Sequence, residues 1–257
     1  MKVIADLHIH SKYSRACSQI LDLPHLDYWA KLKGIQVMGT GDFTHPAWFK
    51  QISESLVASS SASGSGLYRL REEFKMDESK RLKNETLFLL TSEISCIYSR
   101  GGKVRRVHVL IFAPSVEVVR QINEALDRIG NLKADGRPIL GLDAQELARL
   151  VFNIDPSCMV VPAHAWTPWF AVFGSKSGFD SLEECFGDLT PQIYAIETGL
   201  SSDPSMNRRL SQLDGITLIS NSDAHSLPNL GREANVFDLD RVDYASLTDA
   251  IKSRRGF

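Results

Sequence analysis

The sequence has 257 residues, 43% hydrophobic and 23% charged, so the chain is long enough to bury a core without disulfide or zinc support. Its formal net charge of −2 gives no overall basic character, so nucleic-acid binding would need a local patch or bound metal. The start carries no apolar leader, no run is long enough to span a bilayer, and the four cysteines are widely spaced. A cytoplasmic protein without membrane contact is therefore expected.

Short apolar runs rich in β-branched residues alternate with amphipathic stretches along the chain, which predicts a largely parallel sheet. The predicted strands are 3–8, 35–40, 86–95, 104–112, 159–163, 193–197 and 217–220. The predicted helices are 24–33, 46–56, 115–128, 143–152, 204–213 and 244–254. Seven strands in this order favour an α/β barrel over an open sheet.

A Ser-rich excursion near residues 57–67 interrupts the alternation and is too small and polar to pack a core. Two interpretations remain open for it: a flexible surface connection, or a lid over the substrate, since long insertions in compact domains are often functional.

Imidazoles and carboxylates follow the predicted strands at both ends of the chain. His8 and His10 end the first strand, where a spacing of two residues points both rings to the same side. Asp223 and His225 repeat this spacing after the last strand. Between them, further strand ends offer four more candidate ligands: Asp42, Glu93, His108 and His164.

The carboxyl ends of parallel barrel strands meet on one face, so these eight side chains would converge in one cleft. Each of them alone could be a core residue or a helix cap, but together they point to metal binding. Eight ligands are too many for one ion, so two or three divalent metal ions are predicted, of zinc, manganese, iron or magnesium. His25 is interpreted as structural, and His45 is an additional candidate ligand.

The same residues resemble the motifs of a known family. The PHP (polymerase and histidinol phosphatase) domain has successive motifs similar to His8-Ile9-His10, Gly41-Asp42, Glu93-Ile94, His108, Pro162-Ala163-His164 and Ser222-Asp223-Ala224-His225. The longer strings 5–14, 162–169 and 196–203 are similar to endonuclease Q, the PHP-type DNA repair nuclease. The resemblance implies a distorted (β/α)7 TIM-like barrel of the PHP type, with residues 1–257 as a single domain.

The resemblance also implies a metal-dependent phosphodiesterase that cuts DNA 5′ to uracil, hypoxanthine or xanthine, or at abasic sites. Glu93 is expected to bridge the metals, with His8, His10 and Asp223 on one ion and His108 and His164 on its neighbour. Asp42 or Asp223 would orient the nucleophile, and Asp223 or His225 would move a proton.

Several cations and aromatic residues are candidate DNA contacts. The basic run before His108 holds Arg100, Lys103, Arg105 and Arg106, and further cations near ligand motifs are Lys12, Arg15 and Arg232. Trp166, Trp169 and Phe170 could stack an extruded base. The alternative interpretations are a solvated hairpin for the basic run and core or lid packing for the aromatic residues. A replication clamp or repair factors are candidate protein partners.

Two departures from the family pattern are visible. PHP members commonly read Thr-Asp-His where this chain reads Gly41-Asp42-Phe43, so a third metal would need His45 as a replacement ligand. The chain also ends at Phe257, where endonuclease Q continues into a cysteine-containing zinc segment, which suggests a truncated form or a short relative. The rival functions are a small-molecule phosphatase of the histidinol-phosphate type and a non-catalytic, metal-stabilised module.

Overall fold

A computed structural model describes residues 1–59 and 65–257. Eleven strands lie in these residues: β1 (Lys2–Asp6), β2 (Val37–Gly39), β3 (Leu56–Ala58), β4 (Leu67–Leu70), β5 (Leu87–Arg100), β6 (Lys103–Ala113), β7 (Ile139–Leu140), β8 (Met159–Pro162), β9 (Ala195–Glu197), β10 (Thr217–Ile219) and β11 (Asn235–Asp238). The α-helices are α1 (Leu23–Lys33), α2 (Pro46–Ser55), α3 (Asp77–Lys80), α4 (Val116–Asp127), α5 (Ala144–Ile154), α6 (Leu182–Phe186), α7 (Pro204–Asn207) and α8 (Tyr244–Ser253).

The central sheet is mixed rather than largely parallel. β1, β2 and β5 run parallel to one another, as do β9 and β10. In contrast, β6 lies antiparallel between β5 and β8, and β11 is antiparallel to β1. The α/β class predicted from the sequence is confirmed, but the expectation of a largely parallel sheet is wrong for β6 and β11. The long β5–β6 hairpin, joined by a two-residue turn, is the local reason.

Two further pairs of neighbouring segments are joined by single hydrogen bonds and not by continuous ladders: β8 with β9, and β1 with β10. The amide of Ala165, after β8, donates to Glu197 in β9 at 2.8 Å. After β10, Asp223 donates to the carbonyl of His8 at 2.9 Å, and His10 donates to Ala224 at 3.1 Å. These bonds bring the segments that follow β1, β8 and β10 to one end of the sheet.

Apolar packing fills the opposite end of the sheet. Strand residues such as Val3, Leu89 and Leu110 share a buried cluster with Leu247 and Ile251 of α8. The hydroxyl of Tyr244, the first residue of that helix, lies 3.0 and 2.8 Å from the carbonyls of Phe112 and Ser157 and shares its one proton between them. Helix α8 therefore anchors the amino ends of β1 and β5, and the polar groups collect at the other end.

Most of the helices begin where the sequence predicts. The side chains of Asp22, Ser115, Asp143 and Asp243 each accept a hydrogen bond from a backbone amide in the first turn of their helix. The helix predicted over 204–213 is wrong in length: α7 ends at Asn207, and a short turn and a 3₁₀ turn at Ser211–Leu213 follow it.

The Ser-rich excursion is shorter than predicted. Residues 57–58 and 67 belong to β3 and β4, which pair antiparallel, and the amide of Ser59 donates to Leu67 at 3.0 Å. Ser59 and Ser65 border a cavity together with Met1 and Leu87, at the amino ends of β1 and β5. These flanks lie far from the carboxyl ends of the strands and do not favour the lid interpretation, whereas residues 60–64 lie outside the described part. None of the described helices has both the length and the apolar character needed to cross a bilayer.

Candidate metal centre

Three groups of imidazoles and carboxylates gather at the carboxyl end of β1. Within each group the ligand atoms lie within 4.8 Å of one another: His8, His10 and Glu93; His10, Asp223 and His225; and Glu93, His108 and His164. All seven residues are candidate ligands predicted from the sequence, and the structure brings them together. Neighbouring groups share His10 or Glu93, so the three groups form one continuous cluster.

Glu93 lies at the centre of the cluster. Its Oε1 is 2.9 Å from Nδ1 of His108 and 3.0 Å from Nε2 of His164. Its Oε2 faces the other group, 3.4 Å from Nε2 of His10 and 3.7 Å from Nε2 of His8. One fully buried carboxylate therefore has one oxygen on each of two imidazole pairs, and a bridging ligand between two cations needs this arrangement.

The environment of His8 fits a cation. Its Nε2 is buried and has no hydrogen-bond partner among the described residues. Oε2 of Glu93 lies 3.7 Å away and Oδ1 of Asp223 3.6 Å away, which is too long for hydrogen bonds. Two ligand atoms that share one zinc ion at about 2.1 Å each lie roughly 3.4 Å apart in tetrahedral geometry. The donor set therefore suits a divalent cation between these three side chains.

Carboxylates behind the imidazoles fix their orientation. Nδ1 of His8 donates to Glu197, whose two oxygens both lie at 3.0 Å. Glu197 also accepts from the amide of His164 at 2.8 Å and from the side chain of Asn221 at 2.9 Å. A carboxylate on the rear nitrogen of a ligand histidine sets its tautomer and its direction. Glu197 is absent from the residues predicted from the sequence, although its place at the end of a predicted strand could have revealed it.

Asp42 takes the same position behind His10. Its Oδ1 accepts from Nδ1 of His10 at 3.0 Å, and its Oδ2 accepts from the backbone and side chain of Ser11 and from Ser14. Both oxygens are thus occupied, and Asp42 belongs to none of the three ligand groups. The structure places this residue in an orienting position behind His10 and not among the ligand atoms.

Burial and charge shift the pKa values in opposite directions across the cluster. Burial alone would lower the pKa of His8, but Glu197 and Asp223 outweigh it and hold this pKa well above its usual value. His10 follows the same pattern, with Asp42 as its strongest carboxylate partner. At His108 burial prevails over Glu93 and lowers the pKa to about 4. A cation would therefore have to displace protons from His8 and His10, but not from His108.

Arg137 is a second functional candidate that the sequence pattern does not predict. It lies in the loop before β7, and its Nη1 donates to Oε2 of Glu93 at 3.0 Å. Among the ion pairs of the described residues, it is the single lysine or arginine that contacts a carboxylate of the cluster. Burial opposes ionisation of Glu93, but His108 and Arg137 hold its pKa well below the usual value. No strand-end pattern marks this loop, so the sequence carried no signal for Arg137.

Backbone strain is concentrated at the same end of the sheet. Asp42, His164 and Asp223 have φ values of 48°, 30° and 46°, which non-glycine residues rarely adopt. Such conformations persist where the surrounding structure enforces them, often at functional sites. The three turns that carry these residues each follow a strand, and each directs a polar side chain toward the cluster.

The remaining histidines lie apart from the ligand groups. His45 stacks on Tyr13 at a ring distance of 4.3 Å, and its Nδ1 is buried without a partner among the described residues. His25 pairs with Asp22 at 2.6 Å in the first turn of α1. His45 therefore does not join Asp223 and His225 in the group where a replacement third-metal ligand was expected.

The candidate DNA contacts separate into two sets. Four of them have their polar groups bound within the protein. Arg100 donates to Asp143, Gln145 and Cys185, Arg105 to Gly178, Trp166 to Asn207, and Arg232 to Ser222 and Asp223. These contacts hold the four side chains against the protein, and substrate contact by them stays a prediction.

The other candidates lie at the surface or beside the cluster. Phe170 packs on His108 at a ring distance of 4.7 Å, and Arg106 lies 4.9 Å from the ring of exposed Trp169. Lys103 and Arg15 are exposed, and Lys12 is half-buried beside Tyr13.

Parts or all of the chain are similar in sequence to known proteins. The PHP_C family, described as PHP-associated, has a sequence model that matches residues 206–255. The uncharacterized protein YqxK of Bacillus subtilis is 30% identical over 265 residues, which cover 98% of this chain and 62% of YqxK. The uncharacterized protein MJ0043 of Methanocaldococcus jannaschii is 29% identical over 164 residues, 63% of this chain and 16% of MJ0043.

The chain is also similar to proteins of known structure. The lesion-specific endonuclease PfuEndoQ from Pyrococcus furiosus matches all of this chain at 33% identity and a TM-score of 0.81. Endonuclease Q in complex with a 27-mer duplex with an abasic lesion at the active site matches with a TM-score of 0.82. The chain spans 57% and 58% of the length of these two proteins. A putative metal-dependent phosphoesterase from Bifidobacterium adolescentis, 16% identical with a TM-score of 0.54, shares the fold.

The PHP-associated sequence match and the shared fold agree with the PHP resemblance that the motifs predicted. The matches at 33% identity confirm the resemblance to endonuclease Q.

Proposed function

We propose that this chain is a metal-dependent phosphoester hydrolase that nicks DNA at deaminated bases or abasic sites. The observation that carries the proposal is Glu93, whose two oxygens face two separate imidazole pairs. His8, His10 and Asp223 would hold one divalent ion, and His108 and His164 would hold the next. His10, Asp223 and His225 would hold a third if it binds.

Divalent ions in such a site would activate water and neutralise the phosphate and the leaving oxygen. The residues around them keep the ligands in place: Glu197 orients His8, and Asp42 orients His10. His225 is partly exposed, and burial and His10 lower its pKa, which favours the neutral ring that can accept a proton. Arg137, beside Glu93, is placed to contact a phosphate oxygen.

DNA is the proposed substrate because the solved relatives are described as a lesion-specific endonuclease and as a complex with an abasic duplex. The match at 33% identity covers the whole of this chain, and therefore also the segments that carry the cluster. Zinc, manganese, iron and magnesium all suit the mixed imidazole and carboxylate donors. A replication clamp or a repair factor as partner stays a prediction.

The proposed scaffold is a distorted (β/α)7 barrel formed by residues 1–257 as one domain. The hydrogen bonds from Ala165 to Glu197 and from Asp223 to His8 support it, because they continue the strand order between the ladders. A cytoplasmic location stays a prediction from the sequence.

The test is cleavage of a fluorescent duplex with a single deoxyuridine, deoxyinosine or abasic site, in the presence of manganese, magnesium or zinc. We expect metal-dependent nicking beside the lesion, with Asp223→Asn reducing the rate at least a hundredfold. Lys83→Ala, an exposed cation at the amino end of β5, should cleave like the wild type. Release of phosphate from small monoesters without nicking of any damaged duplex would instead support the phosphatase function. Absence of both activities in metal-loaded protein would support the non-catalytic module.

A further inference from the structure

A basic groove runs beside the metal centre along β6. The loop 165–180 lies on the edge of this strand: the amide of Arg106 donates to Ser177 at 3.2 Å, and the amide of His108 donates to Phe170 at 2.9 Å. Together they enclose a cavity of about 510 Å³ lined by Lys103, Arg106, Trp169 and Lys176, among others. The groove thus shares its walls with the segment that carries His108.

The charge of this groove is unbalanced. Its lining holds the cations Lys103, Arg105, Arg106 and Lys176, against Asp180 as its acid. Arg105 is occupied by the carbonyl of Gly178. Across residues 1–59 and 65–257, however, Lys103, Arg106 and Lys176 form no ion pair. On a protein with a net charge of −2, three unpaired cations around one cavity favour an anionic ligand.

An aromatic surface accompanies these cations. The guanidinium of Arg106 lies 4.9 Å from the ring centre of Trp169, and the residue Trp169 is 47% exposed. The next residue, Phe170, packs on His108. Because Arg106 and His108 are two positions apart on one strand, their side chains lie on the same face about 6.6 Å apart. A polyanion bound at Arg106 would therefore continue directly to the metal centre.

We propose that this groove binds the DNA strand that extends from the cleaved phosphodiester. Lys103, Arg106 and Lys176 contact its phosphates, and Trp169 stacks on one of its bases. Backbone cations with an interposed aromatic ring are the combination by which proteins hold single strands without reading their sequence. The proposal deepens the proposed nuclease function and rests on it.

The first experiment measures binding in the presence of a chelator, so that no cleavage occurs. Fluorescence anisotropy would compare abasic oligonucleotides whose strand ends at the lesion or extends eight nucleotides to either side. We expect extension on one side to tighten binding, and Lys103→Ala/Lys176→Ala to remove that gain. The slope of log affinity against log salt should decrease by about 0.7 for each phosphate that no longer has a cation beside it. Trp169→Ala should weaken binding of the extended strand about tenfold.

The matched control is Lys2→Ala/Lys83→Ala, which removes two exposed cations at the amino ends of β1 and β5. This variant should keep the wild-type affinity and salt slope. If the Lys103→Ala/Lys176→Ala variant keeps the wild-type affinity and salt slope, the proposed strand binding by the groove is overturned, while the proposed nuclease function is unaffected. If the wild type nicks no damaged DNA but the groove variants still lose strand binding, the nuclease function fails and the groove stands as a DNA-binding surface.

Discussion

Single residues behind the ligands decide how the imidazoles of this cluster are presented. His8 reaches the cluster with Nε2 because Glu197 holds Nδ1, and His10 does so because Asp42 holds its Nδ1. Neither carboxylate belongs to a ligand group, yet both are completely buried. Their contribution lies in limiting the rotamers and tautomers that the rings can adopt.

Substitution of Glu197 tests this role directly. In Glu197→Ala, the ring of His8 loses its rear acceptor, and the amide of His164 loses its partner as well. We expect metal affinity to fall about 10- to 100-fold, the range for ligand-orienting carboxylates. Glu197→Gln keeps one acceptor oxygen and should lose less. Calorimetric titration with Mn²⁺ or Zn²⁺ provides the measurement, and equal affinity in all three proteins would contradict the assignment.

Removal of Arg137 should have the opposite effect from removal of Glu197 and should strengthen metal binding. Its guanidinium occupies Oε2 of Glu93 and repels cations. Arg137→Ala should therefore bind metal a few times more tightly, while KM for DNA rises about tenfold because one charged hydrogen bond to phosphate is removed. Arg137→Lys should recover part of the KM effect. Weaker metal binding in Arg137→Ala would show that the arginine serves to hold Glu93 in place.

The raised pKa values of His8 and His10 predict a pH dependence of metal binding. Both rings carry protons at neutral pH, whereas a ligand ring must be neutral, so binding releases protons. The apparent metal affinity should increase as the pH rises from 6 to 8, with about one proton released for each of the two rings. It should be lower still below pH 6. His108, with its pKa lowered to about 4, adds none in this window. Titration calorimetry in buffers of different ionisation enthalpy counts these protons, and a count of zero would contradict the prediction.

At the scale of elements, the β5–β6 hairpin explains which parts of the candidate site could be predicted from the sequence and which could not. His8, His10, His164 and Asp223 follow short strands, and this local pattern was enough to place them near one another. Glu93 and His108 were also predicted to follow strand ends, but they lie in the middle of β5 and β6. They meet because the antiparallel register sets Glu93 opposite Leu110 and His108 opposite Ser95. Hydrophobic patterning specifies strands but carries no information about which strand reverses direction.

The loop between α4 and β7 shows the same limit. It delivers Arg137 to Glu93 and brings Gly136 against Asp42 and Ser14, although its sequence has no periodic pattern. Contacts of this kind depend on the fold as a whole, and one chain without an alignment gives no signal for them.

Gly136→Ala tests this loop as an element. A methyl group at position 136 would overlap Oδ2 of Asp42 and the hydroxyl of Ser14, so the loop must move and take Arg137 with it. We expect nicking activity to fall at least tenfold with the fold retained. Gly141→Ala, where nothing lies within 4 Å of the added carbon, is the matched control and should keep full activity. Equal activity in both variants would show that the loop position is unimportant for catalysis.

For the whole molecule, the cluster connects stability to metal. Four segments of the chain each bring one carboxylate to the cluster: Asp42, Glu93, Glu197 and Asp223. Among the described ion pairs, Arg137 is the one lysine or arginine that pairs with any of them. A cation that binds between these segments binds the folded chain and not the unfolded one.

Removal of metal should therefore lower the melting temperature. A free metal concentration a hundred times Kd stabilises the folded state by about 2.7 kcal/mol. For a chain of this size, that stabilisation corresponds to a shift in Tm of roughly 5–10 °C. Differential scanning fluorimetry with and without a chelator would measure it, and Glu93→Gln should lose most of the shift because it weakens both sides of the cluster. Lys83→Ala should retain the shift in full, and a wild-type Tm that does not respond to metal would place the ions outside the structural core of the fold.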